Sequence, residues 1–249
     1  MQITRRHYKR APITEAVISL GFELPGGVRL EDLLKVHASL QSDYLKRGEM
    51  FTVQLQVEPS AEVPGRVSPR EVIGYQLASE DGQRLVALRL GELAFSQLAP
   101  YDSWETLRSE AKRVWDACES TLHPLRITRV GVRYINRIDI PSPEGRGVDL
   151  DIYFRTAPRI APELPQLMKT FFVRLELELR ESHGVLIITE SEAQSPSPDV
   201  VSTLLDLAVI VQNADFDSAS AWRTIEELRD EKNAAFENCI TDAARQLFE

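Results

Sequence analysis

Two cysteines in 249 residues, Cys118 and Cys239, are too few for a disulfide framework. Both fall on apolar helical stripes and read as buried thiols of a cytoplasmic chain rather than as nucleophiles. The four histidines, His7, His37, His123 and His183, are scattered. Without a His-Glu-x-x-His or paired-cysteine spacing, no metal site is expected. A Gly-x-Ser-x-Gly elbow is missing as well. Gly26-Gly27 lacks both the Lys-Ser/Thr of a phosphate loop and the spacing of a dinucleotide fingerprint, so no cofactor is expected. Long apolar runs are missing too: stretches such as Leu207–Val211 fall far below the roughly 18 residues of a membrane-spanning helix. The N-terminus has no apolar stretch of signal-peptide length. Basic charge is short as well, with 29 Lys and Arg against 38 Asp and Glu and a net charge of −9. That deficit argues against nucleic acid as a partner, since a polyanion needs an excess of Lys and Arg.

What is present is regular patterning. Hydrophobic residues at 43% and charged residues at 27% suit a folded chain with a sizeable core. Charge is uneven, because residues 163–249 hold 17 acidic and 7 basic side chains while 1–162 are near neutral. After a basic lead-in over 1–12 (Arg5, Arg6, Lys9, Arg10), Ala16, Ile18, Leu20, Phe22 and Leu24 alternate with polar residues as a half-buried strand. Helical spacing follows over Leu30–Leu40, then a strand in which Phe51, Val53, Leu55 and Val57 face one way. Residues 58–70 read as a loop rich in Pro, Gly and Ser. Val72–Ala78 and Arg84–Leu90 form a hairpin through Asp81-Gly82, and Leu93–Leu98 is a short strand. Asp102, with Glu105 three residues on, is the expected N-cap of a helix reaching about Leu122, closed by His123-Pro124.

The second half repeats this order. Ile127–Ile140 is a long strand, and a proline-broken stretch at 150–166 stands where the first half has a helix. A hairpin of Phe171–Arg180 and Val185–Thr189 and a strand at Val200–Gln212 follow. Ser218 or Ser220 then caps a terminal helix carrying Trp222, Ile225, Leu228 and Phe236. The expected fold class is α+β. A pseudo-duplicated strand-helix-antiparallel strands-helix unit forms one continuous antiparallel sheet with two long helices packed on it. The domain is single, 13–249, with pseudo-repeats 13–124 and 125–249.

Four separated phrases carry a resemblance. They are Ala11-Pro12-Ile13-x-Glu15-Ala16-Val17, Pro100-Tyr101-x-Ser103-Trp104-Glu105, Arg133-Tyr134-Ile135-Asn136-Arg137-Ile138 and Leu228-Arg229-x-x-Lys232-Asn233-x-x-Phe236. In these the chain resembles a sporadically distributed bacterial family without assigned function, over essentially its whole length. The resemblance implies a single-module accessory protein of mobile-element, defence or toxin-neutralising character, and it brings no catalytic residues.

The candidate sites come from strand faces. Arg129, Arg133 and Arg137 share one face of their strand, Arg174, Glu176 and Glu178 one face of the hairpin, and Asp206 the polar side of the last strand. If these strands are neighbours, the surface is a solvated set of cross-strand ion pairs, a groove gripping phosphate or carboxylate with forked guanidiniums, or a protein interface. Tyr134 and Asn136 lie among apolar residues on the opposite face. There Asn136 either ties down a loop or helix end or lines a small pocket with Tyr134. Glu226, Glu227, Asp230 and Glu231 give the terminal helix an acidic side suited to a basic partner. The leading expectation is a non-enzymatic binding or accessory protein acting through a partner protein, with a homodimer as a further possibility. The alternative is an enzyme or sensor holding a small phosphorylated or carboxylated ligand on the arginine-bearing face.

Overall fold

Alternating apolar and polar residues over long stretches make this chain a sheet protein, and two amphipathic helices give the sheet a cover. A computed structural model describes residues 6, 8–52, 71–143, 147–166, 168–180 and 182–249. In chain order these form β1 (Ile13–Glu23), α1 (Leu33–Leu40), β2 (Lys46–Thr52), β3 (Glu71–Ala78), β4 (Arg84–Arg89) and β5 (Glu92–Leu98). Then come α2 (Trp104–Leu122), β6 (Arg126–Pro141), β7 (Phe172–Leu179), β8 (Gly184–Ala193) and β9 (Val200–Phe216), followed by α3 (Ser218–Cys239) and α4 (Asp242–Gln246). The nine strands make one sheet in the order β2-β3-β4-β5-β1-β6-β9-β8-β7. Every ladder in it is antiparallel.

One face of the sheet is covered. α2 packs on β1 and β5, α3 on β6 and β9, and α1 on α2 and β3. Cross-strand register sets the core: Ile18 lies beside Phe95 and Val132, and Val132 beside Val209. Those four side chains are buried beneath the helices together with Trp104, Leu107, Val114, Trp115, Ile225 and Leu228. The stripe expected for the helix after Pro100, namely Trp104, Leu107, Ala111, Val114, Trp115 and Cys118, is the buried face of α2. Burial pushes both cysteine thiols up to about 12, so neither is a thiolate near neutral pH.

Several local expectations are corrected. The first outer strand begins at Lys46, five residues before the Phe51–Val57 alternation, and is described as Lys46–Thr52; Val53, Leu55, Val57 and the 58–70 loop lie outside the described residues. The N-cap of α2 is Ser103, whose Oγ accepts from Thr106 N, while Asp102 accepts from the Thr106 hydroxyl. Asp217 caps α3 by accepting from Ser220 N, because a carboxylate one residue earlier reaches the free amides better than either serine. His123 closes α2 in the left-handed region at φ 48°, a common helix C-terminal geometry, and Pro124 bars the helix from continuing. Gly82, at φ 75°, turns the β3–β4 hairpin.

The lead-in is tethered where it is described. Tyr8 packs edge-on against Phe236 and Phe248 and donates to Glu237 Oε1 at 2.7 Å, and Arg10 donates through Nη2 to Glu249 O at 2.8 Å. Among the described residues no helix is long and apolar enough to cross a membrane.

Candidate functional site on the open face of the sheet

Because all three packed helices lie on one side, the other face of the sheet has no cover among the described residues. The register carries the face across the molecule. Leu85 lies beside Ser96, Ser96 beside Val17, Val17 beside Arg133, Arg133 beside Ala208, and Ala208 beside Ile187. Ala87, Ala94, Ser19, Gly131 and Ile210 make the next row. A side chain at Gly131 would place a Cβ 2.8 Å from Ser19 Oγ, so this row is drawn close where β1 meets β6. The solvent face of an antiparallel sheet ordinarily carries polar residues. Here its centre is small and aliphatic.

All seven residues predicted to bind a ligand stand on this face, and each of the four guanidiniums already has a carboxylate partner within the chain. Arg133 makes a two-pronged contact with Asp206, Nε to Oδ1 at 2.8 Å and Nη2 to Oδ2 at 2.6 Å. Arg129 pairs with Glu92 at 3.5 Å, and Arg174 with Glu176 at 2.7 Å. Arg137 pairs with Asp139 at 3.0 Å and donates to Gln194 O and Ser202 Oγ. Glu178 extends the charged row at the sheet's edge. Arg129, Arg133 and Arg137 follow one another every fourth residue, which at about 3.3 Å per residue separates them by roughly 13 Å. One phosphate cannot bridge that distance, so the arginines share a face without converging.

The acids of α3 are likewise occupied. Glu226 accepts from Trp104 Nε1 at 2.8 Å and pairs with Arg108, and Glu231 accepts from Ser182 Oγ at 3.1 Å. Of the four residues expected to face a partner, only Glu227 is exposed, while Asp230 is half-buried. The acidic side is therefore partly engaged within the chain, through Trp104 and Arg108 at Glu226 and through Ser182 at Glu231.

Tyr134 and Asn136 lie on the helix-covered face. Asn136 is buried and donates from Nδ2 to Leu205 O at 3.0 Å, so it secures β9 rather than a loop or helix end. The Tyr134 hydroxyl meets that of Tyr101 at 2.9 Å. Over the Tyr134 ring, 3.5 Å from its centroid, stands the ammonium of Lys232, which also donates to Asn233 Oδ1 at 2.7 Å. Desolvation, with the nearby Arg229 charge, lowers the Lys232 pKa to about 7. Arg229 itself lies over Trp104, 5.1 Å from its ring. Three of the four phrases singled out in the sequence thus meet at one buried cluster of Tyr101, Trp104, Tyr134, Arg229 and Lys232. A second buried ionisable group, Glu190, accepts from the Thr156 hydroxyl, and burial raises its pKa. Reading the sequence for sites passed over both. Their signal was a charge on an apolar repeat: Lys232 stands four residues from both Leu228 and Phe236, and Glu190 continues the Leu186, Ile188 alternation.

Hollows lie elsewhere among the described residues. One of about 820 Å³ lies between residues 147–171 and the ends of β8 and β9, with Asp149, Arg159, Lys169 and Ser202 among its lining. Another, about 490 Å³, lies between α2 and the start of α3 over Trp222. None of the predicted ligand residues lines either. Among the described residues no three His, Cys, Asp or Glu side chains group to hold a metal ion. In comparisons with known proteins, no family model and no curated protein matches this chain.

Proposed function

We propose that this chain is a non-enzymatic binding or accessory protein that acts through a partner protein seated on the open face of the sheet. The observation that supports this most directly is the aliphatic centre of that face, Val17, Ala87, Ala94, Ile135, Ala208 and Ile210, ringed by ion pairs internal to the chain. Such a surface offers apolar area without a net field. It therefore favours a protein with an apolar patch over nucleic acid, whose phosphates require unpaired cations. The resemblance to a sporadic bacterial family adds the mobile-element, defence or toxin-neutralising setting, and the reduced, buried cysteines fit a cytoplasmic one.

Duplication is part of the same proposal. Reading outward from the central β1–β6 pair, β5, β4 and β3 on one side correspond to β9, β8 and β7 on the other. α2 and α3, of 19 and 22 residues, follow β5 and β9. On this reading α1 and β2 belong to the first unit alone.

A small anionic ligand on the arginine face is the weaker alternative, because each guanidinium there has an acidic partner. The test is co-purification of the tagged chain with the products of its neighbouring genes. Ile135→Lys should abolish capture while leaving the melting temperature within about 2 °C, as for a surface change. Capture of none of these products by the wild type would overturn the partner reading. Saturable binding of inorganic phosphate lost in Arg133→Ala would establish the alternative.

A further inference from the structure

The two outer strands of the sheet are built differently. On β2 the residues facing the helix side are Arg47 and Glu49, paired in register with Leu77 and Tyr75. Charges pointing inward on an edge strand are a standard defence against pairing with another sheet. On β7 the corresponding positions are Val173, Leu175 and Leu177, in register with Glu190, Ile188 and Leu186. Leu175 is 36% and Leu177 46% exposed, and Phe172, on the opposite face, is 68% exposed. Among the described residues no strand pairs with the outer side of β7 and no helix packs over it.

We infer that β7 is a self-pairing edge, and that two copies of this chain join antiparallel through it with Leu175 opposite Leu175. The side-chain order selects both the occupant and the register. An antiparallel strand centred on Leu175 places Arg174 opposite Glu176 of the second copy, twice by symmetry, and Leu177 opposite Val173. Sliding the centre to Glu176 would set two glutamates face to face, which the strand disfavours. The within-strand Arg174–Glu176 contact is exposed on both sides, so exchanging the one in each copy for the two contacts between copies requires no buried rearrangement. The arriving strand takes the place beside β7 that β2 holds beside β3, and the two sheets become one of eighteen strands. Covering the Leu-bearing edge in this way removes the unpaired amides and carbonyls that otherwise invite aggregation.

The inference stands apart from the open-face reading, and its test keeps them distinct. Sedimentation of the full chain across micromolar concentrations should give twice the 28.1 kDa chain mass. Arg174→Glu and Glu176→Arg should each weaken dimerisation at least tenfold, and the double exchange should restore it. Leu175→Cys should give a disulfide-linked dimer under mild oxidation, since directly opposed residues lie within disulfide reach. Leu177→Cys should not, because its own symmetry mate lies about four residues away along the strand. Ile135→Lys should leave the mass unchanged. A wild-type monomer at every concentration would overturn the inference. So would a dimer indifferent to the Arg174 and Glu176 exchanges, or one lost on Ile135→Lys.

Discussion

The two ends of the sheet answer the same problem with different means. At the β2–β3 end, α1 lies over the sheet and buries Leu33, Val36 and Leu40 against it, and the outermost strand turns Arg47 and Glu49 toward the helix side. At the β8–β7 end the described part of the stretch that follows β6 holds a short 3-10 turn, Leu150–Ile152, and no packed helix. Leu175 and Leu177 therefore stay half in water although their spacing is that of core residues. Apolar alternation tells which face a residue takes, and burial depends on whether another element arrives to cover that face. A missing helix changes the meaning of an identical pattern.

The largest expected effect comes from breaking the covered end. Leu40→Ala removes a fully buried side chain and should cost about 2–5 kcal/mol, read as a lower urea midpoint at unchanged slope. Leu177→Ala, the same chemistry at the uncovered end, should cost the isolated chain less than about 1 kcal/mol. Equal losses at the two positions would mean that β7 is as well packed as the core.

How far the sequence discloses this molecule follows from the same contrast. The mixed α+β class, the antiparallel sheet and the buried stripe of α2 are legible because periodicity reports local geometry and one-sided burial. Val173, Leu175, Leu177 and Leu179 alternate as core residues do, yet Leu175 and Leu177 are 36% and 46% exposed, since nothing local to β7 says that α3 packs on β6 and β9 instead. Arg129, Arg133, Arg137 and Arg174 were placed on the right face, but their occupancy depends on Glu92, Asp206, Asp139 and Glu176. Two of those carboxylates, Glu92 on β5 and Asp206 on β9, are brought to their arginines by strand order and register that no pattern in one strand contains. The caps shifted by a residue or more because Asp102-Ser103 and Asp217-Ser218 each offer adjacent capping side chains, and backbone geometry chooses between them.

Lys232 sharpens the comparison from inside, because the covered face also holds a charge it does not neutralise with a carboxylate. Its folded pKa of about 7 lies below the ordinary lysine value of 10.5. Between those values the unfolded chain binds a proton that the folded chain does not, so this residue makes stability rise with pH from about 7 toward 10.5. Below pH 7 the full penalty is present. Lys232→Met should then stabilise the fold by about 2–4 kcal/mol at pH 7. That gain corresponds to a melting temperature several degrees higher, and it should narrow steadily as the pH is raised to 10. A constant difference between wild type and variant across that range would show that packing, not charge, sets the change. The same variant should leave self-association through β7 untouched, as Lys232 lies over Tyr134 of β6, in the middle of the strand order and away from the edge.

A smaller effect is expected where α2 and α3 meet. Trp104→Phe keeps an aromatic ring beneath Arg229, removes the indole donor to Glu226 and adds a packing loss from the smaller ring at this buried site. A hydrogen bond to a charged group contributes about 1.5–3 kcal/mol when buried, and the half-exposed Glu226 should bring that share of the loss down to about 1 kcal/mol. The smallest belongs to the open face. Arg133→Ala breaks the best-formed ion pair there, yet the guanidinium is half-exposed and Asp206 can be rehydrated where it stands. The expected cost is about 0–1 kcal/mol by chemical denaturation, shrinking further at high salt. The aliphatic centre of the face should contribute little to folding for the same reason: among the described residues no element packs on it. If Arg133→Ala or Ile135→Lys instead costs as much as Leu40→Ala, the open face is structural, and the place for a partner must be sought at the β7 edge alone.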